Sequence, residues 1–548
     1  MKKIILSLAV LAAAVACSSE QVRTIEVVPC PNEITMKSGS FNAAGSAIHC
    51  GAGLDEASKA AVGRFATQLS LTSGSESVVS DGTASDGINF ILNENIPYEA
   101  YRLTVKKNQI KAEASGLNGF IYAIQTLKQM LPVEVFGTAA APQADWTVPC
   151  AVINDEPRFH YRGLHLDVAR HFFDIDEVKK YLNMMEVNKQ NIFHWHLTDD
   201  QGWRIEIKQY PELTSIGSIR KGTCIKKEWE NLDGIPYGGW FTQDQVREVV
   251  AYAAERGITV IPEIDLPGHM VAALSAYPQL GCTGGPYEVW TRWGVADDVL
   301  CVGKEETMVF LENVLSEVVE LFPSEYIHIG GDECPKVRWE KCPVCQAKIK
   351  ELGLKGDDKH SAEHFLQSYV TARMEKFLES KGRKIIGWDE ILEGELAPNA
   401  TVMSWRGIEG GIEAAKLGHD AIMVPQSHLY LDHYQSDNPD QEPFSIGGCS
   451  PVDKVYGYEP FTDDMTEEMR GHIIGVQANL WTEYIASNEH LEYMLLPRAT
   501  AISEVQWCKP SVKNWERFVQ NSEHFCKIYE QMGFNYCKHI ADIRKGAE

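Results

Sequence analysis

The spacing of apolar residues along the chain changes character once, near Asn154 to Pro157. Before that point, from Gln21 to about Asp155, short alternating runs (Thr24 to Val28, Gly87 to Leu92, Ala100 to Val105, Ile110 to Ala114) are interleaved with two stretches of helical period, Asp55 to Leu69 and Gly119 to Met130. A period of two marks half-buried strands and a longer period marks helices, so this part reads as a small α+β domain. Gly137 to Trp146 reads as a loop or hairpin. No chemistry-bearing cluster recurs in the domain, which points to a packing or positioning role.

After Arg158 apolar runs alternate with helical patterns. Eight runs qualify as strands: His160 to Val168, Asn191 to Leu197, Ile258 to Ile264, Tyr326 to Gly330, Lys384 to Trp388, Thr401 to Trp405, Ala421 to Val424 and Ile473 to Leu480. The clearest helices between and after them are Ile175 to Val187, Gln243 to Arg256, Thr307 to Leu321, Ala362 to Ser380 and His490 to Val505. Strands joined by crossover helices in this number predict a (β/α)8 TIM barrel over residues 156–548, C-terminal helices included.

Such a barrel carries its chemistry where the strands end. There the sequence delivers, strand by strand, Arg170; His196 and Asp199; Asp265 and His269; Asp332 and Glu333; Trp388 and Asp389; Trp405; Tyr430 and Asp432; Trp481 and Glu483. Carboxylates beside aromatic faces suit a neutral carbohydrate. The pattern centres on EYIHIGGDEC, Glu325 to Cys334, where a β-rich run meets two glycines and then an acidic pair. Asp332 and Glu333 are candidates for acid/base work. The plainer alternative is a helix N-terminus, which also favours acidic residues. Two insertions, Gly202 to Trp240 and Tyr277 to Lys304, follow strands on the same face and would shape a pocket rim; they hold Trp203, Trp240, Trp290 and Trp293.

A formal net charge of −25 over 548 residues, with no block rich in Lys and Arg, argues against a polyanionic partner such as nucleic acid. Met1 to Cys17 has the anatomy of an export signal: Lys2 and Lys3, an apolar run from Ile4 to Val15, then small residues. The sequence AVAC before Ser18 resembles a bacterial lipoprotein box, with Ala14 where such boxes usually carry Leu. The expectation is therefore an exported periplasmic or cell-surface protein lipidated at Cys17 and touching a membrane only through that anchor, with plain secretion as the alternative. No other segment is long and apolar enough to span a bilayer. Of the 14 cysteines, removal of Cys17 leaves an odd number. Cys282 and Cys301 bracket a Gly/Trp-rich loop and are the first candidates for a disulfide. Cys334, Cys342 and Cys345 supply three thiols where structural zinc takes four ligands, so no metal is expected there. None is expected at His194, His196, Asp199 and Asp200, or at Asp265 with His269.

The motifs DVARHF (Asp167 to Phe172), HWHLTDDQGWR (His194 to Arg204), PEIDLPGH (Pro262 to His269), HIGGDE (His328 to Glu333) and WTE (Trp481 to Glu483), in this order, resemble glycoside hydrolase family 20, the β-N-acetylhexosaminidases. The resemblance covers roughly Glu156 to Trp507, and the preceding module is similar to that family's accessory domain. It implies a cofactor-independent, exo-acting, retaining enzyme that removes terminal β-linked GlcNAc or GalNAc from glycans or chitooligosaccharides. The family is a substrate-assisted exception among glycosidases: the sugar's own 2-acetamido oxygen attacks the anomeric carbon, giving an oxazolinium intermediate.

In that scheme Glu333 matches the general acid/base, Asp332 the residue that holds the acetamide, and Tyr430 the hydroxyl bonded to the acetamide oxygen. Asp199 and His269 match a relay to Glu333. Arg170 and Glu483 match ligands of the C3 and C4 hydroxyls, and Asp432 a ligand near the C4 and C6 hydroxyls. Trp388, Trp405 and Trp481 match the pocket walls. An anionic Asp332 would also hinder ionisation of Glu333 and keep it protonated. Two rivals remain on sequence alone: a retaining glycosidase using two carboxylates in the ordinary way, and a non-catalytic glycan-binding lipoprotein.

Overall fold

The computed structural model describes residues 25–547. Cys17 and the stretch expected to be an export signal lie outside the described residues. The first domain is a seven-stranded sheet in the order Glu33–Asn42, Thr147–Asp155, Tyr101–Lys106, Gln109–Ala114, Gly87–Leu92, Ile48–Cys50, Val79–Asp81. Two helices, Glu56–Ser73 and Leu117–Met130, pack on it through Phe65, Leu69, Phe120 and Leu127, which share one core with Ile88, Phe90, Leu103 and Val105. The first helix starts where Asp55 accepts a hydrogen bond from the Ser58 amide, a regular N-cap.

Residues 25–28 form no strand, against expectation, while Glu33–Asn42 does. Only Phe41 of that strand is buried, and a bulge between Met36 and Ser40 interrupts its alternation, so it carries little apolar periodicity to read.

The barrel closes from β1 (Tyr161–Asp167), β2 (Ile192–His196), β3 (Thr259–Glu263), β4 (Tyr326–His328), β5 (Lys384–Trp388), β6 (Thr401–Ser404), β7 (Ala421–Met423) and β8 (Ile473–Ala478), with β8 pairing in parallel with β1. The single helix expected from His490 to Val505 is two, Asn488–Leu495 and Arg498–Trp507. Pro497 divides them, because proline has no amide hydrogen to continue the first helix.

Alternation along each strand decides what fills the barrel. Tyr161, Ile261, Ile386, Met403 and Ile422 form an apolar group inside it. His165, His194, His196, Glu263 and His328 are buried with them. At the other end of the strands the two domains are joined by charge. Glu99 from the sheet domain accepts hydrogen bonds from Arg162 (2.9 and 3.2 Å), Tyr122 (3.0 Å) and Asn191 (3.0 Å). Asp155 accepts from Tyr101 (2.7 Å), Lys189 (3.2 Å) and the Trp507 indole (3.0 Å).

Candidate active site

The glycine pair in HIGGDE has a geometric cause. Gly330 and Gly331 both take positive φ (64° and 98°), and a Cβ on Gly330 would lie 1.8 Å from an Asp265 oxygen. Only glycine turns the chain there without a clash. The Gly331 amide donates to Asp265 (3.1 Å), and Gln367 caps the Gly331 carbonyl (2.7 Å). Beyond this turn Glu333 itself sits at φ 46°, an uncommon conformation for a side-chain-bearing residue. The acidic pair therefore leaves β4 in a fixed loop, with no helix beginning at it. Asp332 is mostly buried, whereas the Glu333 side chain is 41 % exposed.

His269, also at positive φ (50°), stands behind the pair. Its Nε2 lies 3.5 Å from Glu333 and 3.7 Å from Asp332; its Nδ1 lies 3.3 Å from Asp199 and 3.2 Å from Asp200. Two carboxylates thus hold the imidazole where sequence matching assigned one. Although burial opposes it, the neighbouring Asp199 charge keeps His269 well above its ordinary pKa. Asp199 has further partners, Arg170 at 2.8 Å and His196 at 2.9 Å. Arg170 also reaches Asp167 (3.2 Å) and lies over the Trp481 ring, 5.0 Å from its centroid.

These groups meet at a cavity of about 570 Å³ lined by Arg170, Asp332, Glu333, Trp388, Trp405, Tyr430, Asp432, Trp481 and Glu483. The sequence-derived positions thereby converge, with His269 and Asp199 behind the wall. Trp405 and Tyr430 are nearly parallel (13°, centroids 6.1 Å apart), and Trp388 and Trp481 are 5.9 Å apart. From the insertions Trp293 and Trp229 join the lining. Trp203 does not: it is a core residue, 1 % exposed. Trp240 is exposed, and Trp290 lines a neighbouring cleft.

Protonation in the free site differs from the sequence expectation. Burial, with the charges of Glu263 and Glu333 adding to it, pushes Asp332 up to about 6, while contact with His269 holds Glu333 below its ordinary value. The reluctant acid is Asp332, not Glu333. Burial also raises Asp432, with Glu483 adding to it, and Glu483 itself. Among the described residues no protein group hydrogen-bonds Asp332 Oδ1 or Asp432 Oδ1, although both atoms are buried. Unpartnered polar atoms in an aromatic cavity are what a hydroxylated or amidic ligand would satisfy.

Two supporting residues went unread in the sequence. Glu263 accepts from the Trp388 indole (2.8 Å) and faces His194 (3.0 Å), His196 (2.6 Å) and His328 (3.2 Å). A charge at an inward-facing position of a buried strand was the available signal. Glu390, pushed up to about 8 by burial and by the Asp332 charge, accepts from the Trp405 indole (2.9 Å). It follows Asp389 just past β5, where an acidic residue next to another carries no signal of its own in the sequence.

The fold and cavity define a (β/α)8 barrel with a carboxylate- and aromatic-lined pocket at its strand ends, and comparisons with known proteins identify its family. The glycosyl hydrolase family 20 catalytic-domain model matches residues 159–510, and that family's domain 2 matches residues 24–156. A β-hexosaminidase of Porphyromonas gingivalis is 42% identical over 94% of this chain, which spans 65% of that relative's length. One of Vibrio furnissii is 37% identical over 88% of this chain and 76% of its own. Among solved structures, a Vibrio harveyi exo-β-N-acetylglucosaminidase in complex with N-acetylglucosamine superposes with a TM-score of 0.81 at 31% identity, covering 94% of this chain and 79% of that one. A Bacteroides fragilis β-N-acetylhexosaminidase gives 0.78 at 31% identity, covering 94% and 98%. The chain belongs to glycosyl hydrolase family 20.

Proposed function

We propose that this protein is an exo-acting β-N-acetylhexosaminidase that removes terminal β-linked GlcNAc or GalNAc with retention, through the substrate's own acetamide. The observation that carries the reading is the buried, unpartnered Asp332 Oδ1 beside Glu333 in a cavity walled by Trp388, Trp405, Trp481 and Tyr430. An acetamide N–H donating to Asp332 favours its anion. That anion orients the acetamide oxygen towards the anomeric carbon and stabilises the positive intermediate, while the Tyr430 hydroxyl steadies the attacking oxygen.

Glu333 protonates the leaving oxygen and later takes a proton from water. Its exposure in the free site explains how it can be held low there and still act as an acid. A sugar covering it removes water, and ionised Asp332 adds a like charge; both raise its pKa. His269, braced by Asp199 and Asp200, positions the carboxyl. Arg170, Asp432 and Glu483 face the sugar hydroxyls.

The test is turnover of aryl β-GlcNAc against aryl β-glucoside, with a thiazoline analogue of the cyclised intermediate as inhibitor. The reading expects hydrolysis of the first alone and strong inhibition; equal turnover of both sugars overturns it. Location is part of the same reading: Met1 to Ser19 supports export and lipidation at Cys17. Incorporation of labelled palmitate that disappears in Cys17→Ala is the expected result, and an unlabelled wild-type chain refutes it.

A further inference from the structure

Away from the cavity, four cysteines from two separate segments converge. Cys301 Sγ lies 3.6 Å from both Cys342 Sγ and Cys345 Sγ, and Cys282 Sγ lies 3.9 Å from Cys345 Sγ. All four sulfurs fall within 4.8 Å of one another. The disulfide expected between Cys282 and Cys301 is not formed. Cys334, counted with the cluster in the sequence, is not a member; Cys282 and Cys301 supply the missing ligands.

A sulfur–sulfur bond is about 2.05 Å long, which none of these separations approaches. Four thiolates around one zinc at roughly 2.3 Å place neighbouring sulfurs about 3.8 Å apart, by the geometry of a tetrahedron. The separations of 3.6, 3.6 and 3.9 Å bracket that value, and the remaining pairs stay within 4.8 Å.

The surrounding backbone is built for the convergence. Gly281 and Leu300 form an antiparallel bridge, and the Cys301 amide donates to the Leu280 carbonyl (2.8 Å), so the two ends of the rim loop are clasped next to their cysteines. Cys342 precedes the helix Pro343–Leu352, and Cys345 lies in its first turn, where helix amides and dipole favour negative sulfur. A Cβ on Gly303 would meet the Val344 carbonyl at 2.6 Å and the Cys345 amide at 2.7 Å, so only glycine permits this approach of the two segments. Lys304, anchored on the Gln279 and Gly281 carbonyls (2.6 and 2.9 Å), brings a cation to the same corner.

We propose that Cys282, Cys301, Cys342 and Cys345 form a structural zinc site. Zinc binding releases four thiol protons and leaves a doubly negative centre. Soft thiolates in a tetrahedron suit zinc, and a polynuclear iron–sulfur cluster would need its cysteine sulfurs spread further apart. The site ties the loop bearing Trp293 and Val295, both cavity-lining, to the segment that follows Glu333. It holds the rim without touching substrate.

The test uses the full chain purified under reducing conditions without chelator, with metals counted by plasma mass spectrometry. The expected result is roughly one zinc per chain, falling below about a tenth in Cys342→Ser/Cys345→Ser. Cobalt(II) added to metal-stripped wild-type protein should give thiolate-to-cobalt charge transfer, a readout that requires no variant to fold. Mercurial stripping should lower the melting midpoint. Wild-type protein that binds neither zinc nor cobalt, iron in place of zinc, or a Cys282–Cys301 disulfide in peptides mapped from a parallel preparation alkylated without reductant overturns the proposal.

Discussion

The two ends of the barrel bury charge under different rules. At the domain junction Glu99 meets Arg162, Tyr122 and Asn191 at hydrogen-bonding distance, and although burial opposes it, Arg162 holds the carboxyl well below its ordinary range. At the cavity Asp332 is also enclosed but has one oxygen unmatched, and it is pushed up to about 6. Full pairing fixes a structure. Incomplete pairing leaves a group whose proton and contacts can change when something enters.

The sharpest test of that contrast is to disable each end. Glu333→Gln removes the proton carrier and should lower kcat about 10³-fold or more, with the melting curve unchanged. Kinetics beside calorimetry decides it, and near-wild-type turnover breaks the comparison.

Glu99→Gln does the reverse. It strands the buried Arg162 charge and should destabilise the fold by about 3 kcal/mol, read by denaturant unfolding, while KM stays put. Because Glu99 titrates below its ordinary value, the wild-type stabilisation is present above that ordinary value and is lost as the pH falls through the depressed one.

A smaller effect concerns pH. Asp332 is neutral below about 6 and anionic above it, so kcat/KM should fall roughly tenfold per unit below that pH. Asp332→Asn should lose most activity, and its residual rate should lack this acid limb. Smallest is Trp405→Phe, which keeps a ring against Tyr430 but drops the bond to Glu390. About 1 kcal/mol, or several-fold in kcat/KM, is expected.

Much of the barrel end was legible in the sequence because it is written locally. Each βα turn follows its strand, so finding β4 also found Asp332 and Glu333. The partnerships behind them were not local. Nothing near Glu263 in the chain announces His194 or His328, and Asp200 competes with Asp199 for His269 through a turn that the sequence does not draw. Protonation failed for the same reason: the pull of His269 on Glu333 is a distance, not a motif. The four-cysteine corner needed the rim loop to be folded before its members could be counted.

The crowd around Glu263 bears on how this chain can drift. Three imidazoles and an indole share its two oxygens, so no exchange of one member leaves the others content, and the group can move to a new arrangement only by several changes at once. The helices outside the barrel can be rewritten a letter at a time, whereas this interior behaves as one indivisible character.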